Sequence, residues 1–130
     1  IMWAKITGSA GTGTITITGF GTPGTTRAAM QVMEVVGAQR IRQTKIGTTT
    51  ATTPSITLDY TPEAASLVIG AIGLYGVTIP PGTNFTELAE NNANRALQSE
   101  YDLTNATTTV SWNLGASTLC AMAAIEVTDE

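Results

Sequence analysis

Alternation between a threonine or serine and an aliphatic residue recurs along this chain, and no other feature restricts its fold as much. Thr14-Ile15-Thr16-Ile17-Thr18 puts two isoleucines on one side and three threonines on the other, and Ile56, Leu58 and Tyr60 alternate with Ser55, Thr57 and Asp59 in the same way. A period of two sends successive side chains to opposite faces of a strand, whereas a helix needs an apolar stripe at a spacing near 3.6. Threonine strengthens the reading, because its branched Cβ is stiff at χ1 and packs well on a pleated surface. With 25 threonines and 13 glycines in 130 residues, the chain is expected to be all-β. Its length suits one domain over residues 1–130, and the start on Ile1 rather than Met suggests that upstream residues are missing.

Strands can be placed from the pattern. Residues 2–7 read as a short strand, 14–18 as a half-buried one, and 28–37 as an apolar strand in which Val35-Val36 argue against helix. Residues 39–45 set Arg40, Arg42 and Lys45 around Ile41 and suit an exposed or edge strand, followed by a Thr-rich connector at 47–54. The strand through Ile56 and Leu58 closes at Thr61-Pro62, where the ladder donor is lost. Residues 67–74 are apolar on both faces, as in a central strand. Between 85 and 101 a helix competes with a hairpin. Asn84 and Glu87 suit a capping box, but Asn91, Asn92 and Asn94 would fall in mid-helix, so a hairpin with its tip at 91–94 is expected. Residues 108–114, with Val110, Trp112 and Leu114 on one face, are expected to form a hairpin with 119–127, which sets Leu119, Ala121, Ala123, Ile125 and Val127 on one side. About eight or nine strands at 8–12-residue spacing point to an antiparallel β-sandwich, and no internal repeat is visible.

Composition excludes several functions. Only 12% of residues are charged, against a usual share of about 25%, so neutral polar groups must cover the surface, which suits a protein that is covered or assembled. A net charge of −4 with no basic stripe argues against nucleic acid, and no apolar run is long enough to span a bilayer as a helix. There is no histidine, so His-based triads and His metal sites are excluded. The one cysteine, Cys120, lies in an apolar run and reads as a buried hydrophobe.

The remaining chemistry is carboxylate-only. Glu87 and Glu90, or Glu100 and Asp102 two apart on one strand face, would suit an acid/base pair or part of a calcium shell, but solvated strand-face charge is the expected reading. Gly19, Gly21 and Gly24 fit a dinucleotide-binding loop, yet the strand before them is amphipathic where that fold needs one apolar on both faces. A plain inter-strand loop is expected there. Neither catalytic residues, cofactor nor metal are assigned. The Asn84 and Asn105 glycosylation triplets arise readily by chance in so Thr-rich a chain.

Residues 60–127 resemble a jelly-roll-like β-sandwich domain that recurs in tailed-phage virion proteins. The resemblance is carried by LVIGAIG (67–73), FTELAE (85–90), SEYDL (99–103) and the closing pair TTTVSWNLGAS and LCAMAAIEV, with Trp112 and the small-residue last strand the most specific parts; Trp3 with Ile15 and Ile17 is similar to an earlier strand of longer members. It implies a virion-surface role, as a capsid decoration (cement) protein or a fibre domain that packs against copies of itself and against the major capsid protein. Shell symmetry would favour a trimer. Loop residues at the ends of the strands are then the expected contacts: Phe20, Pro23, Pro80, Pro81, Asn91, Asn92 and Asn94. A lectin-like module, stacking a glycan on Trp3, Tyr75 and Tyr101, is the alternative.

Overall fold

The computed structural model describes residue 14 and residues 30–76, 78–91, 96–104 and 107–129; the expectations for 2–7, 15–18 and 19–26 lie outside them. Among the described residues there is no helix, and seven strands form: β1 (Arg40–Ala51), β2 (Ser55–Thr57), β3 (Leu67–Leu74), β4 (Thr86–Asn91), β5 (Ala96–Asp102), β6 (Thr109–Ser111) and β7 (Thr118–Thr128). Every pairing is antiparallel. Five strands make one sheet in the order β1-β7-β3-β5-β4, and β2 with β6 makes a two-stranded one. The described residues are therefore all-β, as the alternation predicts.

β3 sits at the centre of the larger sheet, in keeping with its two apolar faces, and β4 and β5 pair as the expected hairpin in place of a helix. Three readings are corrected. Residues 30–39 form no strand: Gln31 to Val35 run irregularly along the sheet and turn at Val36-Gly37, where Gly37 takes φ +86. The Thr-rich connector is strand as far as Ala51, because Thr48, Thr49 and Thr50 find ladder partners in Ala121, Cys120 and Leu119. Finally, β6 and β7 do not pair with each other. β6 pairs with β2 while β7 lies between β1 and β3, so the chain leaves one sheet for the other at Gly115, whose φ of +69 and N–H bond to the Asn113 side chain make the turn.

One buried cluster lies between the two sheets. Val68, Ile72 and Leu74 of β3, Ala96 of β5 and Cys120, Met122 and Ala124 of β7 meet Ile56, Leu58, Val110, Trp112 and Leu114 from the smaller sheet and its extensions. The face of the large sheet turned to this cluster is its inner face. Trp112 is the largest side chain in the core, and its indole N–H donates to Gln98 Oε1 at 2.9 Å, which lets a polar ring edge be buried without loss. Gly70 makes the close approach possible: a Cβ there would overlap the Val110 side chain and press on the Trp112 ring.

The β3–β4 link shapes the rest. β4 runs parallel to β3 with β5 between them, so residues 75–85 must return along the length of the sheet before β4 can start. They do so on the inner side. Ile79 and Phe85 enter the core, and Gly82 packs so tightly on the Ser111 carbonyl that a Cβ would collide with it.

Candidate functional site

Registry decides which side chains face the core and which face outward, and the outcome reverses the usual expectation for charge. On the inner face β5 carries Ala96, Gln98, Glu100 and Asp102, all buried, while β7 adds Glu126. Carboxylates are seldom fully buried unless they are paired. The expectation of solvated charge at Glu100 and Asp102 is thus overturned, both being at most 1% exposed.

Each of these carboxylates closes a loop. Asp102 Oδ1 accepts from the N–H and hydroxyl of Thr104 at 2.7 and 2.6 Å, holding the turn after β5. Glu100 Oε2 accepts the Gly82 N–H at 2.7 Å, and on β4 Glu90 Oε1 accepts the Ile79 N–H at 2.8 Å. The returning 75–85 link is therefore pinned at two points by acids of the β4–β5 hairpin. Glu87 faces Glu100 across the ladder. Because Glu100 and Asp102 serve separate loops, they make no acid/base pair of the kind the sequence allows.

Glu126 is the centre of a second cluster. Its side chain is fully buried, and it accepts from Arg42 Nη1 at 2.7 Å, Gln43 Nε2 at 2.6 Å and the Glu63 N–H at 2.6 Å. Arg42 is brought inward by a bulge: Ile41 pairs with Val127 and Gln43 with Glu126, so Arg42 is the extra residue of β1. It also bonds Glu63 Oε1 at 2.7 Å and the Thr61 carbonyl at 3.1 Å, and it lies 5.9 Å from the centre of the Tyr60 ring. The cluster ties β1, β7 and the 59–66 loop together. Burial alone would raise the Glu126 pKa, but its four donors, including Ser66, outweigh burial and hold it below the usual carboxylate range.

Glu100 behaves in the opposite way. Burial pushes its carboxyl up from 4.5 to about 7, against the bonds from Gly82 and Gln98 and with help from the charge of Glu87. Its Oε1 is buried with no hydrogen-bond partner among the described residues. A folded-state value above the unfolded one means that the folded chain holds the extra proton between pH 4.5 and 7, so stability rises as pH falls through that window and is lost as pH rises through about 7. Glu126, held low, contributes stability that is present above its usual value and is lost on further acidification. Urea unfolding followed by tryptophan fluorescence is accordingly expected to show greater stability at pH 5 than at pH 8, by on the order of 2 kcal/mol. Glu100→Gln should remove most of that slope; an unchanged slope in the variant would refute the assignment.

The strands place no charged side chain on the other face of the large sheet, where the one acid among the described residues is Glu34 of the 31–36 segment, at the edge of a shallow groove. β1 contributes Thr44, Ile46, Thr48 and Thr50, β7 contributes Leu119, Ala121 and Ala123, and β3 contributes Ala71 and Gly73, in register as rows such as Thr48–Ala121–Gly73–Leu97. Ile46 is 73% and Leu119 68% exposed. The apolar side expected for residues 119–127 thus exists, but it is the outward one, and Cys120, Met122 and Ala124 fill the core. Beside this open area, residues 31–36 cross the sheet over β3, β4 and β5. Gln31 donates to the carbonyls of Ala89 and Leu97, and a shallow apolar groove of about 240 Å³ lies between Met33, Val36, Ile69, Leu88 and Tyr101.

The expected contact and stacking residues fall as follows. Pro80 and Pro81 are exposed in the pinned link, and Asn91 is exposed at the end of β4. The Ile79–Glu90 bond brings these two places together. Phe20, Pro23, Asn92, Asn94 and Trp3 lie outside the described residues. Tyr75 is exposed just past the end of β3, whereas Tyr101 is half-buried in the groove opposite Ile69, six residues back along β3, or about 20 Å. The two tyrosines form no common platform. Among the described residues no group of three or more acids and thiols could hold a metal ion. Comparison with known protein families, curated proteins and solved structures finds no match to this chain.

Proposed function

We propose that this chain is a non-enzymatic structural domain of a virus particle, a jelly-roll-like β-sandwich that decorates a tailed-phage shell or forms part of a fibre. It acts at the virion surface by packing against copies of itself and against capsid protein. The observation that carries the reading is the outer face of the five-stranded sheet, whose strands place no charge on it, built of threonine and small apolar residues and exposed at Ile46 and Leu119. An apolar surface of that kind marks an interaction site more often than a solvent boundary. The chemistry of the buried acids supports it too, since Glu100, Asp102 and Glu126 each hold a loop in place.

Light scattering of the purified chain, alone and with undecorated phage shells, tests this. An oligomer that saturates the shells is expected. A monomer indifferent to shells would sink the reading and move the assignment to a glycan-binding module.

A further inference from the structure

β1 is a twelve-residue edge strand that has β7 on one side and, among the described residues, nothing on the other. Proteins usually blunt such an edge with proline, bulges, inward charges or short length. β1 has little of this. It contains no proline, its bulge is confined to Arg42, and from Gln43 to Ala51 its ladder is regular. Its one charge in that stretch, Lys45, lies on the inner side and is engaged by Asp59 at 2.5 Å. The opposite edge, β4, is half as long, is bulged between Glu87 and Ala89 and carries two glutamates.

We propose that β1 pairs antiparallel with β1 of a second copy, so that two five-stranded sheets join into one. The proposal rests on the reading of the domain as an assembly unit and names its contact. A second copy fits because the strand is complementary to itself. In a two-fold register centred on Gly47, Gln43 meets Ala51, Thr44 meets Thr50, Lys45 meets Thr49 and Ile46 meets Thr48, while Arg42 falls opposite Thr52. No like charges are opposed, and the outer-face pairs are of the β-branched kind that stabilise cross-strand contacts. Pairing also satisfies the outward N–H and C=O groups along the edge and continues the uncharged face across the junction. Such a contact is isologous and closes as a dimer, unlike the three-fold arrangement that shell symmetry alone would favour.

The test is the mass of the full chain in solution across a concentration series. A reversible dimer is expected, and Ile46→Lys and Thr48→Glu should each weaken it by about tenfold or more, with an unchanged urea midpoint at concentrations low enough that the native chain is monomeric, because both side chains are on the exposed face. Mixing I46K with T48E should restore a dimer, since residue 46 of one copy meets residue 48 of the other. A dimer that survives both substitutions, or no recovery on mixing, overturns the edge pairing. A trimer overturns it as well but leaves the assembly reading standing. A monomer overturns it, and amide exchange along β1 then shows whether the chain's own residues occupy the edge; shell binding decides the wider reading separately.

Discussion

Replacing Glu126 with alanine is expected to lower the unfolding free energy by about 3 kcal/mol, since it removes the buried acceptor at the centre of a hydrogen-bonded charge cluster, while Arg42 keeps its pairing with Glu63. The Glu63 N–H loses its bond to the Glu126 carboxylate, and Arg42, Gln43 and Ser66 each lose one of their acceptors, Arg42 keeping Glu63 and Gln43 the Tyr60 carbonyl. A domain of ordinary stability has only about 5–15 kcal/mol to lose, so the variant should unfold at a much lower urea concentration. Glu126→Gln separates shape from charge. It can still accept one bond from Arg42 or Glu63, and it should fall between the native chain and E126A. Equal stability of all three would show that the bulge at Arg42 is held by the ladder alone.

Trp112→Ala is expected to be at least as damaging, about 3–5 kcal/mol, from the cavity left by a large buried ring. The site has no easy way to collapse, because Gly70 and Val110 already bring the two sheets into contact beneath it. Part of the loss comes from Gln98, whose Oε1 would lose its donor inside the core. Trp112→Phe isolates that part: it keeps most of the apolar volume but leaves Gln98 unmet, at a cost of about 1–3 kcal/mol. The pair Trp112→Phe with Gln98→Leu should recover much of it. Gln98→Leu alone measures the loss of the Gln98–Glu100 bond; if, after that loss is subtracted, the double variant is no better than the single one, volume rather than the indole bond governs this position.

How far the fold was legible follows from how strong each alternation is. At Ile56 and Leu58, and at Val110, Trp112 and Leu114, large apolar residues alternate with polar ones, and these side chains are buried. β7 offers no such contrast. Leu119, Ala121 and Ala123 on one side and Cys120, Met122 and Ala124 on the other are all apolar, so period two predicts a strand without saying which side faces the core. The same ambiguity hid the fact that β6 and β7 belong to different sheets. Neighbours in sequence often pair, and only the long-range register with β2, β1 and β3 overrides that habit here. The Thr-rich run 47–51 read as a connector because it has no apolar side at all; it is strand because β7 supplies its partners.

The candidate site was less legible. A glutamate in a strand is expected in water, and nothing local marks Glu100 or Glu126 as buried. Their partners come from far away in sequence: Gly82 lies 18 residues from Glu100, and Gln43 lies 83 from Glu126. The one local hint is at β5, where Gln98, Glu100 and Asp102 alternate with Leu97, Ser99 and Tyr101, a pattern that a reader assigns to water on the polar side. Pro80, Pro81 and Asn91, expected as contacts from loop chemistry, are exposed, and the acid bonds that hold their loop have no local signal in the sequence.

Keeping the acids on the inner side and neutral groups on the outer one also fixes how the outer face meets anything else. Long-range attraction, which can speed encounter a hundredfold or more over the neutral rate of about 10⁵–10⁶ M⁻¹s⁻¹, needs a charged surface to act on. The rows of Thr44, Ile46, Thr48 and their alanine neighbours offer none. A contact made on this face would therefore form at close to the unsteered rate and vary little with ionic strength, its lifetime governed by how well the two surfaces exclude water.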